Sequence, residues 1–161
     1  MVANSESWVD PIFDAVVSDL NRSGYFSQVI DDTVNKAPDG KLTAVVWVQD
    51  IGVAQRASGI ASSSAMLTFM VRVFANQVSR NSQYVVEPLP RRLLKAVSNL
   101  IRRYHDDFDF GGLVRNVDCL GEFVGGGLNA TSGYEEIGGS WYRMMTLTVP
   151  VIVNDVWTQT A

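Results

Sequence analysis

The sequence holds 161 residues, 47% of them hydrophobic and 19% charged, with 17 acidic side chains against 13 basic ones. That is one domain's worth of chain with enough apolar side chains for one core, so gross disorder is excluded and residues 1–161 are read as a single domain. The acidic balance counts against a whole-chain nucleic-acid binder. A single cysteine, Cys119, rules out an intrachain disulfide framework and a multi-cysteine zinc site.

Residues 10–21 carry Ile12, Phe13, Val16, Val17 and Leu20 on one helical face. Asp10 is the expected N-cap, Pro11 fits the first helical position, and Gly24 can close the helix in a left-handed conformation. Residues 25–30 are expected to dock the helix end on the core. Pro38-Asp39-Gly40 is a turn signal. Residues 43–51 (TAVVWVQDI) and 65–74 (AMLTFMVRVF) read as strands, the second with Leu67, Phe69, Val71 and Val73 toward the core. Between them residues 52–64 (GVAQRASGIASSS) read as a long hairpin extension or a mobile loop.

Pro88 and Pro90 precede a second helix near 91–105, whose apolar stripe is Leu93, Leu94, Val97, Leu100, Ile101 and Tyr104. Its polar face holds Arg91, Arg92, Lys95, Arg102 and Arg103, five of the 13 bases. Gly111-Gly112 break the helix, and strand signals resume over residues 113–120. Residues 121–139 contain seven glycines and are expected to form a flexible loop or a glycine-broken hairpin. Residues 141–153 (WYRMMTLTVPVIV) are the longest strand candidate, with Pro150 marking an edge or a bulge. The order α, β, β, α, β, β predicts an α+β domain: a mainly antiparallel sheet with two or more helices packed on it.

Residue types with chemical potential are few. His105, the only histidine, sits where a cation meets the negative end of a helix dipole. Cys119 alternates with Val117 on a strand face beside Asp118, a setting for a buried small hydrophobe and not for an activated thiol. Asp107, Asp109 and Gly112 match the first, third and sixth positions of a calcium loop, but Gly111, Arg115 and Asp118 fail the fifth, ninth and twelfth, so a solvated acidic turn is expected. The run GGGLNA over 125–130 fits a loose dinucleotide pattern without the helix that the motif must open. The basic helix face has no interleaved aromatics, which counts against a single-strand platform. The first ten residues carry two acids and no Lys or Arg, unlike a signal peptide, and no run has the roughly 20 apolar residues of a membrane span. No cofactor and no catalytic residue is assigned.

The whole-chain pattern resembles the tail terminator, or tail-completion, proteins of long-tailed bacteriophages. The likeness rests on the opening helix that ends near Gly24, the strand TAVVWVQD with its long polar hairpin, and the proline-marked approach to a basic helix. It rests most on the closing strand, Tyr142-Arg143 followed by Leu147-Thr148-Val149-Pro150-Val151. The resemblance implies a non-enzymatic virion protein at the tail–neck junction, made in the host cytoplasm. Its subunits would form a hexameric ring that caps the tail tube, ends its polymerisation and meets a head-completion or neck protein, while genome DNA passes through the channel. No membrane takes part. The candidate assembly contacts are Arg56, Ser58, Arg91, Lys95, Trp141 and Tyr142. The four tryptophans serve as core fillers or partner anchors. Another neck or head–tail connector protein is the alternative, and a small ligand-binding module or enzyme is a further one.

Overall fold

A computed structural model describes residues 7–31, 42–76, 89–123 and 125–160. Among them are two helices, α1 (Val9–Arg22) and α2 (Leu89–Asp106), and six strands. The strands are β1 (Gln28–Ile30), β2 (Thr43–Val53), β3 (Ser62–Asn76), β4 (Asn116–Val117), β5 (Asn129–Ile137) and β6 (Ser140–Thr158). They form one mixed sheet in the order β1-β2-β3-β6-β4, with β5 also paired to β6. Every pairing is antiparallel except β1 with β2. The chain is α+β, as its alternating periodicities require.

The stripes read from the sequence are the ones buried. Ile12, Val16 and Leu20 of α1, and Leu93, Val97, Leu100 and Tyr104 of α2, meet Leu67, Phe69, Val71, Val73, Leu147, Val149 and Val151 on one sheet face. Leu94 is the exception in the α2 stripe, half exposed at its margin. On the opposite face two smaller clusters lie at the ends of the sheet. One is Val45, Phe74 and Tyr142, the other Ala54, Met66 and Ile152. Half-buried Thr68, Met70, Arg72, Thr146 and Thr148 lie between them. There the Arg72 guanidinium sits 5.2 Å from the Trp47 ring centre and pairs with Glu135 at 2.9 Å.

Several boundaries differ from the sequence expectations. The α1 helix begins at Val9 with Trp8 already helical at the cap position, so Asp10 lies inside the first turn and is not the N-cap. Trp8 makes an edge contact with Trp157, ring centres 5.8 Å apart, which draws the helix back toward the sheet. The positive end of the dipole still favours Asp10 there. Gly24 takes the expected left-handed φ of +77°.

Residues 25–30 contribute a short parallel strand, β1, and do more than dock a helix end. Of the two readings of the β2–β3 connection the structure has the hairpin extension, an arm and not a mobile loop: both strands run on, leaving only residues 54–61 around a 3-10 turn, Gln55–Ala57. Of residues 113–120 only two form a strand, because Phe110, Gly111 and Gly112 take positive φ and swing the chain through turns. The glycine-rich stretch is in part a hairpin, with β5 turning into β6 at Gly138-Gly139. Pro38-Asp39-Gly40 and Pro88 lie outside the described residues.

Pro150 marks neither a sheet edge nor a bulge. β6 is internal, with β3 on one side along most of its length and β5 then β4 on the other. The Pro150 carbonyl accepts a 2.8 Å bond from the Asp118 N–H, so its missing donor faces the same side, where β5 has ended at Thr148 and β4 begins at Val151. The proline occupies the gap between two successive neighbours. The irregularity between β3 and β6 lies farther on, where residues 154–156 oppose Ser64 alone and Asp155 takes a φ of +53°.

Candidate functional site

The six expected contact residues do not converge. β3 runs from the arm at Ser62, opposite Thr158, to Asn76, opposite Tyr142. At about 3.3 Å per residue, Arg56 and Ser58 therefore lie roughly 45 Å from Trp141 and Tyr142 along the sheet.

Arg56 is exposed in the 3-10 turn and donates to the Glu122 carbonyl at 3.1 Å, tying the arm to the loop before β5. Ser58 works inward: its hydroxyl donates to the Ala54 carbonyl at 2.8 Å and accepts from the Ser64 N–H at 3.0 Å. Trp141 is 56% exposed. It is a surface aromatic available to a partner and not a core filler. Tyr142 is buried against Phe74 and Val45 and so belongs to the fold. Arg91 and Lys95 are exposed on the first half of α2.

The arm has an uncovered apolar side. Ile51 and Val53 pair with Leu67 and Ala65, positions on the helix-bearing face, yet they are 49% and 60% exposed. The helical layer therefore stops short of the arm. Trp157 lies on that side too, opposite Ser63 and partly exposed, and Ile60 at the tip is almost fully exposed. Trp157 is partly covered by Trp8, while Ile51, Val53 and Ile60 leave an exposed apolar strip along the arm.

A second feature lies between the ends of the helices, where Asp19, Arg103, Tyr104, Asp106, Asp107 and Phe110 line a cavity of about 190 Å³. Arg103 is not a solvated member of the basic face. It donates to Asp19 of α1 at 2.5 Å, which locks the two helices and raises the guanidinium pKa further above its ordinary value. Tyr104 is 1% exposed, and burial pushes its phenol well above the usual value, with the Asp19 charge adding to the effect. Among the described residues neither the Tyr104 hydroxyl nor the Arg103 Nε–H has a hydrogen-bond partner. Reading Arg103 as one of five surface bases hid this cavity. The signal was its place between Leu100 and Tyr104, at the margin of the buried stripe.

His105 is exposed, with Nδ1 2.9 Å from the Ile101 carbonyl in the last turn of α2. Cys119 is half-buried, and burial, then the neighbouring Asp118 charge, raises its thiol pKa, the opposite of nucleophile activation. Asp118 itself is buried, and its two carboxylate oxygens accept from Glu122 N–H at 2.8 Å and Phe123 N–H at 3.0 Å. It shapes the loop that receives Arg56.

Asp107 accepts from the Gly111 N–H at 3.0 Å, so the acidic turn uses its carboxylate to hold its own backbone. Among the described residues no three His, Cys, Asp or Glu side chains are placed to hold a metal, and no helix is long and apolar enough to cross a membrane. No protein-family model matches the chain, and no curated protein matches it.

Proposed function

We propose that the chain is a structural subunit of a phage-tail terminator, assembling as a ring, most simply a hexamer, on the end of the tail tube. In this reading the ring stops tube growth and offers its other face to a neck or head-completion protein. DNA passes through a channel walled by acidic subunits and is not read. The protein acts by occupying and shaping surfaces, without catalysis.

The observation that carries the reading is the arm. A paired hairpin reaches past the helices with Ile51, Val53 and Ile60 uncovered, and the Arg56 bond and the Ser58 bonds fix its tip. A subunit that spends two long strands on an exposed apolar arm is built to be completed by neighbours. Trp141, exposed at the other end of the sheet, gives a second anchor of the kind that dominates protein contacts.

The test is to mix the purified chain with polymerising tail-tube protein and image the tubes. Capped tubes of restricted length, each ending in a ring of this protein, support the proposal. Tubes of unchanged length with no protein at their ends refute it.

A further inference from the structure

Resting on the reading of the arm as an assembly surface, we propose that the arm's apolar strip seats on the exposed Tyr134 and Trp141 rings of a second copy of this chain, joining copies head to tail.

The two patches lie on one face of the sheet, toward its opposite ends. Leu147, Val149 and Val151 of β6 meet the helices, so Trp141 and Arg143, at the same alternation, belong to that face. Ala130 of β5 packs against the same core, which puts Tyr134 and Glu136 there too, paired with Arg143 and Trp141. Ile51 and Val53 share the face through their partners Leu67 and Ala65. From Leu67 to Asn76, opposite Tyr142, the sheet runs about 30 Å, so neither patch covers the other within a subunit.

Each patch offers what the other lacks. The arm presents the branched aliphatic side chains of Ile51, Val53 and Ile60. The far end presents rings, Tyr134 and Trp141, each 56% exposed. The two rings stand diagonally across the β5–β6 pair, a spacing within reach of aromatic side chains. The Arg143 guanidinium lies 5.7 Å from the Tyr134 ring centre and steadies it. Aromatic residues set beside an arginine are the side chains that carry most of the energy at protein contacts.

The charges give the contact its direction. Arg56 is exposed in the turn of the arm and spends one N–H on the Glu122 carbonyl, and Glu136 is exposed directly across from Trp141. Among the described residues neither is in an ion pair. Arm on aromatic end brings the cation of one copy to the anion of the next. Arm on arm, or aromatic end on aromatic end, leaves both charges without a partner. The arm also arrives preformed, its tip held by the Arg56 and Ser58 bonds, so little ordering opposes binding. A contact between two different patches repeats from copy to copy and closes into a ring when the rotation allows.

Two full-length variants test it: I51E/V53E, which blocks the strip, and Y134A/W141A, which removes the rings. The four side chains are all substantially exposed, so both variants should keep the wild-type circular dichroism spectrum. In sedimentation velocity the wild type should self-associate as concentration rises, while each variant alone stays monomeric. An equimolar mixture of the two should give a species of twice the subunit mass and nothing larger. The intact arm of one variant then meets the intact rings of the other, and no further contact remains. R56E and E136R should each weaken wild-type association about 2–5-fold, and R56E/E136R should restore it.

Wild-type chains that stay monomeric at millimolar concentration, a variant that associates alone as the wild type does, or a mixture of folded variants that stays monomeric overturns the contact. Weak association persisting in R56E/E136R overturns its charge-set direction. Tube capping by Y134A/W141A at the wild-type level overturns the contact and leaves the capping reading standing. The expected heterodimer, with wild-type chains absent from tube ends, upholds the contact and overturns the ring reading.

Discussion

Gly127 occupies a position where backbone leaves no room for a side chain. Its φ is +56°, and a Cβ there would stand 2.6 Å from the Cys119 carbonyl oxygen and 2.8 Å from the Gly121 nitrogen. Both obstacles are main chain in a loop held by the buried Asp118 carboxylate, so neither can swing aside. Holding alanine in the left-handed region costs about 1–2 kcal/mol. Relieving the overlap adds about 1–3 kcal/mol, as for other forced insertions into packed sites. Moving the carbonyl also strains its 3.1 Å bond from the Leu128 N–H. Gly127→Ala should therefore lose about 2–5 kcal/mol. Gly139→Ala is the control: its φ is +80° but nothing lies within 4 Å of the added carbon, so only the conformational cost applies. Urea unfolding of the two variants isolates the overlap as the difference between them. Equal midpoints at unchanged m-value would refute the close approach and the loop geometry derived from it.

Trp141→Ala should change subunit stability by less than about 1 kcal/mol, because the ring is largely in solvent, while reducing capping of tail tubes; calorimetry and tube-length imaging separate the two. His105→Ala and Cys119→Ala, made separately, should leave tube capping intact, with Cys119→Ala losing on the order of 1 kcal/mol of packing; a folded variant that fails to cap would remove the non-enzymatic reading. Alkaline stability should fall in two stages. Cys119 and Tyr104 both titrate higher in the folded chain than in the unfolded one, so their contribution is whole below the unfolded values and is lost as pH rises. The first stage should begin near the ordinary thiol value of 9.0 and vanish in Cys119→Ala; the second should begin above the ordinary phenol value of 10.0 and vanish in Tyr104→Phe, as urea titrations across pH will show.

Where one periodicity ran unbroken, the sequence was enough. The stripe Ile12, Val16, Leu20 and the alternation Leu67, Phe69, Val71, Val73 are both fully buried. The arm was legible only as one of two readings, a hairpin extension or a mobile loop, because its strands end in residues that usually make loops. Ser63 and Ser64 are nonetheless buried in β3, with the Ser64 hydroxyl donating to the Ala57 carbonyl at 2.8 Å and accepting from the Asp155 N–H at 3.1 Å. Those partners are 7 and 91 residues away in sequence, out of reach of any local pattern. β5 (NATSGYEEI) has weak strand propensity and is held by β6, a case of tertiary pairing overriding local preference. The cavity was illegible for a similar reason: Asp19 and Arg103 meet only after two helices pack.

The sheet edges bear on how copies of this chain would meet. Among the described residues β1 covers only Thr43–Val45 of β2, which leaves the rest of that outer edge unpaired, and β5 has a neighbour on one side only. Open edges invite strand-to-strand joining, which would fuse copies into an endless sheet. Both edges carry obstacles to it. On β2 the pairing slips by one residue at Gln49, next to exposed Asp50, and the resulting bulge twists the edge away. On β5 the exposed Glu136 puts a carboxylate near the end of the strand, and Gly138-Gly139 end it. With backbone joining resisted on both sides, side chains would be left to define the angle between copies. The proposed ring needs one fixed angle, and exposed apolar anchors such as Ile51, Val53 and Trp141 would fix orientation better than a ladder that can slide in register.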